Sequence, residues 1–148
     1  MLHFSLLGIE IEYFKVDDEF KLPEQPDIEV SIAPGFGVGT IDNNSIACRI
    51  AHKYILNDRP FVSTEILGTF GIDLTDWKDL LDTEKNLITI PKDFALYICS
   101  IITGVLRGVL LARLENTNYS KLFLPLVNPS ELFAIDEDIV MKFAKSEK

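Results

Sequence analysis

Cysteine and histidine are scarce in this chain of 148 residues, which contains two of each. The cysteines, Cys48 and Cys99, lie far apart, and neither belongs to a CxxC pair or stands beside a histidine. This usage is typical of reduced, buried thiols in a cytoplasmic protein and excludes a disulfide framework. The histidines, His3 and His52, have no partners at metal-ligand spacing. We therefore expect no metal and no cofactor.

Basic residues are also few, since 14 lysines and arginines stand against 23 acidic residues, a net charge of −9. A polyanion would be repelled, which argues against nucleic acid as a partner. The segment PGFGVG at 34–39 lacks the GxGxxG spacing and the lysine of phosphate loops, and we interpret it as a hairpin loop. No GxSxG motif is present, and the acidic run at 17–19 lies in a polar loop with nothing to bury it. The sequence thus favours a protein that is not an enzyme; the alternative is a small ligand bound against His52 or Tyr54.

A long apolar segment is what the chain does contain. Between Phe94 and Ala112 the only charged residue is Arg107. Pro91, which precedes the segment, is favourable in the first turn of a helix. The pattern predicts one long helix that begins beside Pro91 and ends near 115–118.

A helix with so little polar surface must be covered on two sides, by membrane, by a second subunit or by an apolar client. Its length suffices for a membrane span, and Gly104 and Gly108 have the spacing of closely packed helix pairs. A span would place Arg107 in the hydrocarbon at a cost of about 2.5–3.5 kcal/mol. We therefore expect no membrane span. We expect a homo-oligomer instead, with one side of the helix on a sheet and the Gly104/Gly108 side on a symmetry-related helix.

Alternating apolar residues predict strands before this helix. The phase of the alternation changes near Leu6–Gly8, which predicts a β-bulge in the first strand. Three further strands are predicted, at 28–32, 46–56 and 62–74. The last two form an antiparallel hairpin around a turn at 57–60. A final helix is expected from about Pro129 to Lys145, and the chain fits one domain over residues 1–148.

Four short motifs follow one another along the chain. They are Tyr13-x-Lys15 with Asp17 and Phe20, Pro60-Phe61 with Gly68, Phe70 and Ile72, the long helix beside Pro91 with Arg107-Gly108, and the tail 124–133 with Val127-Asn128 and Leu132-Phe133. In this order they resemble the SecB family of export chaperones, over roughly residues 9–20 and 60–133. The chain departs from the family pattern at Pro129, where the family has an aromatic residue, and by residues inserted around 115–120.

The resemblance implies an α+β fold in which a four-stranded antiparallel sheet is packed by one long apolar helix, with a C-terminal helix. It also implies assembly as a homodimer or homotetramer, and an ATP-independent holdase that binds unfolded or partly folded polypeptides in apolar grooves without catalysis. The client-binding residues it suggests are Phe14, Phe20, Leu22, Leu132 and Phe133. For each of them the alternative is that the side chain closes the core of its own chain.

Two interpretations of the biological role stay open. In the family, acidic positions on the sheet bind the SecA translocase motor. Asp17 corresponds to one such position and Glu65 lies near another, whereas Lys21 replaces a third acid with the opposite charge. Protein export is therefore one expectation. The alternative is a SecB-like protein dedicated to one partner, such as an antitoxin-specific chaperone, without a general export role.

Overall fold

The computed structural model describes residues 2–19, 21–24, 26–122, 124 and 129–143. Four strands form the main sheet in the order β1-β4-β3-β2, with every neighbouring pair antiparallel: β1 (Phe4–Val16), β2 (Glu29–Val38), β3 (Ser45–Leu56) and β4 (Arg59–Ile72). The elements that follow along the chain are α1 (Leu74–Leu80), β5 (Leu81–Asp82), β6 (Leu87–Ile90), α2 (Lys92–Leu114), α3 (Pro129–Leu132) and β7 (Ile139–Lys142). The α+β class, with a four-stranded antiparallel sheet and one long apolar helix, is confirmed.

The hairpin of β3 and β4 forms the centre of the main sheet. Every second residue is buried over 46–56 in β3 and over 62–72 in β4, as the period of two predicted. Asn57 and Asp58 join the strands, and their φ angles of 52° and 63° are those that a two-residue type I′ turn requires. The predicted hairpin and its turn are confirmed.

The edge strand β1 changes face twice along its length. Its pairing with β4 shifts register between Leu6 and Gly8, where the bulge was predicted, and again between Ile11 and Tyr13. Each shift returns apolar side chains to the face of the sheet on which α2 lies. Leu6, Ile9 and Ile11 therefore all belong to that face.

The prediction of a hairpin loop at 34–39 was wrong for most of that segment. β2 continues through Pro34 to Val38, and Pro34 lies opposite Ile50 of β3. Proline is compatible with this strand because β2 is at the edge of the sheet, where one row of backbone groups has no neighbouring strand.

The long helix α2 packs one side on the centre of the main sheet. Its bounds confirm the predicted helix, with Pro91 at the N-cap and Asp93 in the first turn. The residues that it buries recur at helical spacing: Phe94, Ala95, Ile98, Cys99, Ile102, Thr103, Leu106, Leu110 and Leu114. By length and composition α2 is also apolar enough to cross a membrane. In this structure the side of α2 that carries these buried residues lies against β3 and β4.

The C-terminal segment differs from its prediction. The helix expected from about Pro129 to Lys145 ends at Leu132, and β7 follows it. β7 pairs with β6 to complete a second sheet of order β5-β6-β7. Its residues alternate between half-buried and exposed, which is the period of a strand, and the pairing with β6 stabilises that conformation.

Trp77 of α1 joins the second sheet to the main body of the protein. Its side chain is 1% exposed, and its indole N–H donates a 3.0 Å hydrogen bond to the carbonyl of Ile41. The ring packs edge to face on Phe143, directly after β7, with centroids 5.7 Å apart. The C-terminal strand is thereby held to the same hydrophobic core as α2.

Close packing of α2 on β4 leads to a first prediction. A methyl group at Gly68 would overlap Ile102 Cδ1 and approach Cγ1 to 3.1 Å, and Ile102 is fully buried. We expect Gly68→Ala to lower the free energy of unfolding by about 1–3 kcal/mol, because the buried isoleucine must leave its favoured rotamer or displace the helix. Urea denaturation of both proteins measures the difference.

The matched control for this prediction is Gly37→Ala in β2. In the part of the chain that the structure describes, no atom lies within 4 Å of a methyl group at Gly37. We expect its effect on the free energy of unfolding to stay within about 0.5 kcal/mol. Equal destabilisation by the two substitutions would show that the contact with Ile102 is not the cause.

Candidate functional site

Strand β1 lies alongside α2, and contacts at both ends of the strand define the alignment. Near its start, the ring of Phe4 packs edge to face on Phe94 and Tyr97, with centroids 5.3 and 5.8 Å apart. Near its end, the guanidinium carbon of Arg113 lies 5.3 Å from the centre of the Phe14 ring. Strand and helix therefore run side by side in the same direction, and the middle of β1 lies between these two contacts.

Three apolar side chains in the middle of β1 belong to the face on which α2 lies, but the helix does not cover them. Leu6, Ile9 and Ile11 are 46%, 36% and 40% exposed. Their cross-strand partners in β4 are the buried residues Phe70, Gly68 and Ile66. Because directly opposed residues of an antiparallel pair share a face, the three side chains lie beside the helix and not on the far side of the sheet.

The helix contributes a parallel row of residues. Tyr97, Ile101, Gly104, Val105 and Gly108 recur at spacings of three and four, so they continue along α2 from its contact with Phe4. Tyr97 is 44% exposed, Ile101 and Val105 are half-buried, and both glycines are exposed, with no atom of the described residues within 4 Å of an added methyl group. We call the strand and helix rows together the β1–α2 surface: Leu6, Ile9, Ile11, Tyr97, Ile101, Gly104, Val105 and Gly108.

The β1–α2 surface has the composition of a binding surface for an apolar ligand. None of its residues is charged, although the protein carries a net charge of −9. Single exposed apolar side chains are ordinary, but contiguous groups of them usually mark an interaction site. Covering such a surface yields about 25 cal/mol per Å² removed from water.

The residues suggested as client contacts occupy different depths. Phe14 is half-buried, and it faces α2 because its partner in β4, Thr64, is buried on that face. Leu22 and Leu132 are half-buried and pack against the core. Phe133 is 2% exposed, so it closes the core in this chain. Phe20, the fifth suggested contact, lies outside the described residues.

The two acidic residues suggested for motor binding occupy different environments. The carboxylate of Asp17 accepts a 2.5 Å hydrogen bond from the guanidinium of Arg59, and its backbone carbonyl accepts another from the hydroxyl of Tyr119. Asp17 therefore fixes the chain where β1 ends. Glu65 lies on β4 between residues that face α2, so it belongs to the opposite face of the sheet.

A group of polar side chains is buried between α2 and the sheet. His52 and Thr64 lie opposite each other on β3 and β4, and the rings of His52 and Tyr54 are 4.4 Å apart. All three are 1% exposed, and among the described residues neither imidazole nitrogen of His52, nor the hydroxyl of Tyr54 or Thr64, has a hydrogen-bond partner. Burial lowers the pKa of His52 to about 4 and raises the pKa of Tyr54 to about 12.

This arrangement does not suit the small-ligand site considered against His52 or Tyr54. Both side chains are covered by the protein, so a ligand could reach them only after the side chains that cover them moved. His52 lies in the core, and its ring nitrogens make none of the hydrogen bonds to the described residues that a buried histidine usually makes. Across the part of the chain that the structure describes, no three His, Cys, Asp or Glu side chains are grouped as metal ligands.

An antiparallel four-stranded sheet with one long apolar helix on one face is the architecture of the SecB-like chaperones. Among solved structures, this fold is similar to the Mycobacterium tuberculosis Rv1957 SecB-like chaperone in complex with a ChAD peptide from the Rv1956 HigA1 antitoxin, with a TM-score of 0.55. The similarity covers 84% of this chain and 89% of that chain at 12% sequence identity. No family model and no curated protein matches the chain. The fold of this chain is therefore SecB-like, as its motifs implied.

Sequence reasoning identified the glycines of the β1–α2 surface but missed its strand row. The available signal was that β1 carries large apolar residues on both faces, among them Leu7, which is 62% exposed on the face opposite α2. A strand of this kind needs cover on both sides, and the side chains in the middle of β1 stay 36–46% exposed on the face of α2. The first bulge, which was predicted, places Leu6 on the same face as Ile9 and Ile11; the second, which was not predicted, adds Phe14 to that face.

The buried histidine generates a second prediction. The pKa of His52 is about 4 in the folded state, against 6.5 for an unperturbed histidine, so the unfolded chain binds a proton more readily than the folded one. The stability associated with neutral His52 is complete above about pH 6.5 and falls as the pH drops towards 4. At about pH 5 we expect the free energy of unfolding to be about 2 kcal/mol lower than at neutral pH because of His52.

Comparison with His52→Leu separates this effect from the titration of surface carboxylates, which both proteins share. Urea denaturation at several pH values between 4.5 and 7.5 gives the free energy of unfolding of each. As the pH falls below about 6.5, we expect the free energy of unfolding of the unmodified protein to decrease relative to that of His52→Leu. Parallel pH profiles would contradict the assignment of a dry, neutral His52.

Proposed function

We propose that this protein is a holdase chaperone that binds unfolded or partly folded polypeptides without ATP. The observation that carries the proposal is the β1–α2 surface, where apolar side chains of an edge strand stay exposed beside an apolar helix. An extended polypeptide segment laid along β1 would bury those side chains. The binding requires no chemical step, so we propose a protein that is not an enzyme and needs no cofactor.

The affinity of such a surface for one segment is modest. Each strand residue contributes apolar area at about 25 cal/mol per Å² buried, and ordering the client segment opposes this gain. Phe14 follows Ile11 on the same face and extends the row. Leu22 and Leu132 remain proposed contacts at half-buried positions, whereas Phe133 would support the binding surface from within the core.

We also propose that the protein is a homodimer or homotetramer assembled through α2. Gly104 and Gly108 are exposed and leave open space on the helix, which permits the close approach of a second helix. The strand row of the β1–α2 surface then remains for the client. Several such rows on one oligomer raise the overall avidity for a long unfolded chain through effective concentration.

A second candidate function is that of a SecB-like chaperone dedicated to one partner. It is favoured by the similarity to Rv1957, whose structure contains a peptide from an antitoxin. A role in protein export is the more specific form of the first candidate, with SecA as partner at Asp17 and Glu65. That contact would require Asp17 to exchange its ion pair with Arg59 for one with the motor. We place either function in the cytoplasm.

The strand row provides the third prediction. We expect Ile11→Asp to weaken binding of a permanently unfolded polypeptide by at least about tenfold, because a carboxylate replaces an apolar contact in the middle of the row. Affinity is measured by titration with several unrelated unfolded chains and with their folded counterparts, with and without ATP. Circular dichroism and the unfolding midpoint verify that the variant is folded.

The matched control is Val140→Asp, since Val140 is also an exposed β-branched residue, 58% exposed on the strand β7 of the other sheet. We expect its client affinity to equal that of the unmodified protein. If both substitutions weaken binding equally, the β1–α2 surface is not the binding site. Binding of several unrelated unfolded chains supports the general holdase, whereas binding of one antitoxin-type peptide and none of the others supports the dedicated chaperone.

The helix row provides the fourth prediction. We expect Gly104→Leu to shift the protein to a smaller oligomer, since a leucine side chain would hold the paired helices apart. Size-exclusion chromatography with light scattering measures the mass of the assembly. Gly37→Leu is the control, because Gly37 has the same open surroundings but lies on β2. An unchanged mass for Gly104→Leu would refute helix pairing at this position.

A further inference from the structure

The two cysteines of the chain face each other across the junction of sheet and helix. Cys48 lies on the α2-facing side of β3 and Cys99 on the buried side of α2, and their sulfur atoms are 3.8 Å apart. Both are free thiols and both are 0% exposed. They are 51 residues apart in the sequence, so the fold alone brings them together. A disulfide bond would require the sulfurs to approach to about 2 Å, through changes in the side-chain torsions and in the position of the helix.

We propose that Cys48 and Cys99 are an oxidation site at which hydrogen peroxide produces an intramolecular disulfide that fastens α2 to β3. One thiol loses its proton to solvent, and the thiolate attacks a peroxide oxygen, which breaks the O–O bond and leaves a sulfenic acid with release of water. The second thiol then displaces water from the sulfenic sulfur. In total, two thiols and one peroxide give one disulfide and two water molecules, with both sulfurs oxidised and the peroxide reduced.

Burial determines the rate of this reaction. The neighbouring thiol and the apolar surroundings raise the pKa of Cys48, so its thiolate does not form readily while α2 is packed on the sheet. Peroxide must enter when helix and sheet separate locally. The oxidation is therefore slower than that of an exposed thiol and becomes faster when a low concentration of urea promotes such opening.

The bond would act on the junction that organises the fold. It links β3 directly to α2 and closes a loop that contains the β3–β4 hairpin and all of α1, β5 and β6. Restricting the unfolded chain in this way typically stabilises a protein, and we expect the unfolding midpoint to rise by about 5–15 °C. This inference does not rest on the proposed chaperone function.

The test begins with the reduced protein, incubated with hydrogen peroxide that is then removed by catalase. The protein is denatured without reductant, labelled with N-ethylmaleimide and weighed by mass spectrometry. We expect the label count to fall from two to none on a monomeric chain, and a non-reduced digest to contain the Cys48 and Cys99 peptides linked to each other. Retention of both labels, a disulfide between two chains, or sulfinic acid at either cysteine would overturn the proposal.

Thermal unfolding of the oxidised protein provides the second measurement. The unfolding midpoint should rise after peroxide treatment and return after addition of dithiothreitol. The unfolding midpoint of Cys48→Ala and of Cys99→Ala should not rise after peroxide treatment. Comparing each variant with and without peroxide separates the effect of the disulfide from oxidation elsewhere and from the cavity that the substitution leaves. A disulfide that forms without raising the midpoint would refute the claim that it fastens α2 to the sheet.

Discussion

The packing of α2 on the centre of the main sheet is the constraint on which the rest of the structure depends. A helix is about 10 Å wide, and neighbouring strands lie about 4.8 Å apart, so one helix covers about two strands. Here those strands are β3 and β4, whose helix-facing residues are buried throughout. The edge strand β1 belongs to the same face but lies beside the helix. Its middle residues therefore stay exposed, although they are as apolar as those in the core.

An exposed apolar edge strand is a liability that proteins usually avoid by placing charge, proline or bulges along it. β1 does contain two bulges, but the first brings Leu6 to the face of Ile9 and Ile11 and the second adds Phe14 to that face, so the apolar side chains are gathered and not dispersed. Such an arrangement is expected where the strand serves for recognition. The same logic applies to α2, in which two exposed glycines interrupt the outer side of an otherwise apolar helix. Strand and helix offer different surfaces, and this allows assembly and polypeptide binding to be assigned to different rows.

The junction of β3 and α2 is not uniformly apolar. Cys48, His52 and Tyr54 occupy alternating positions on the same side of β3, so a thiol, an imidazole and a phenol all lie in the dry interior. The imidazole makes the stability of the junction depend on protons, because the charged form cannot be solvated there. The thiol of Cys48 makes the stability of the junction depend on oxidants, because the sulfur of Cys99 lies 3.8 Å away. Both effects act on the attachment of the helix to the sheet.

The amino-acid sequence by itself determined the features that depend on neighbours along the chain. The bounds of α2 follow from Pro91 and an apolar run whose only charge is Arg107, the β3–β4 hairpin from period-two alternation around Asn57 and Asp58, and the first bulge of β1 from a change of phase. The tertiary structure decided which residues are covered. Phe14 and Phe133 look alike in sequence, yet one lies partly exposed on an edge strand and the other is buried. The strand state of β7, the strand that continues through Pro34 and the meeting of Cys48 with Cys99 arise from pairings between distant segments, and a local pattern contains no information on the energy of those pairings.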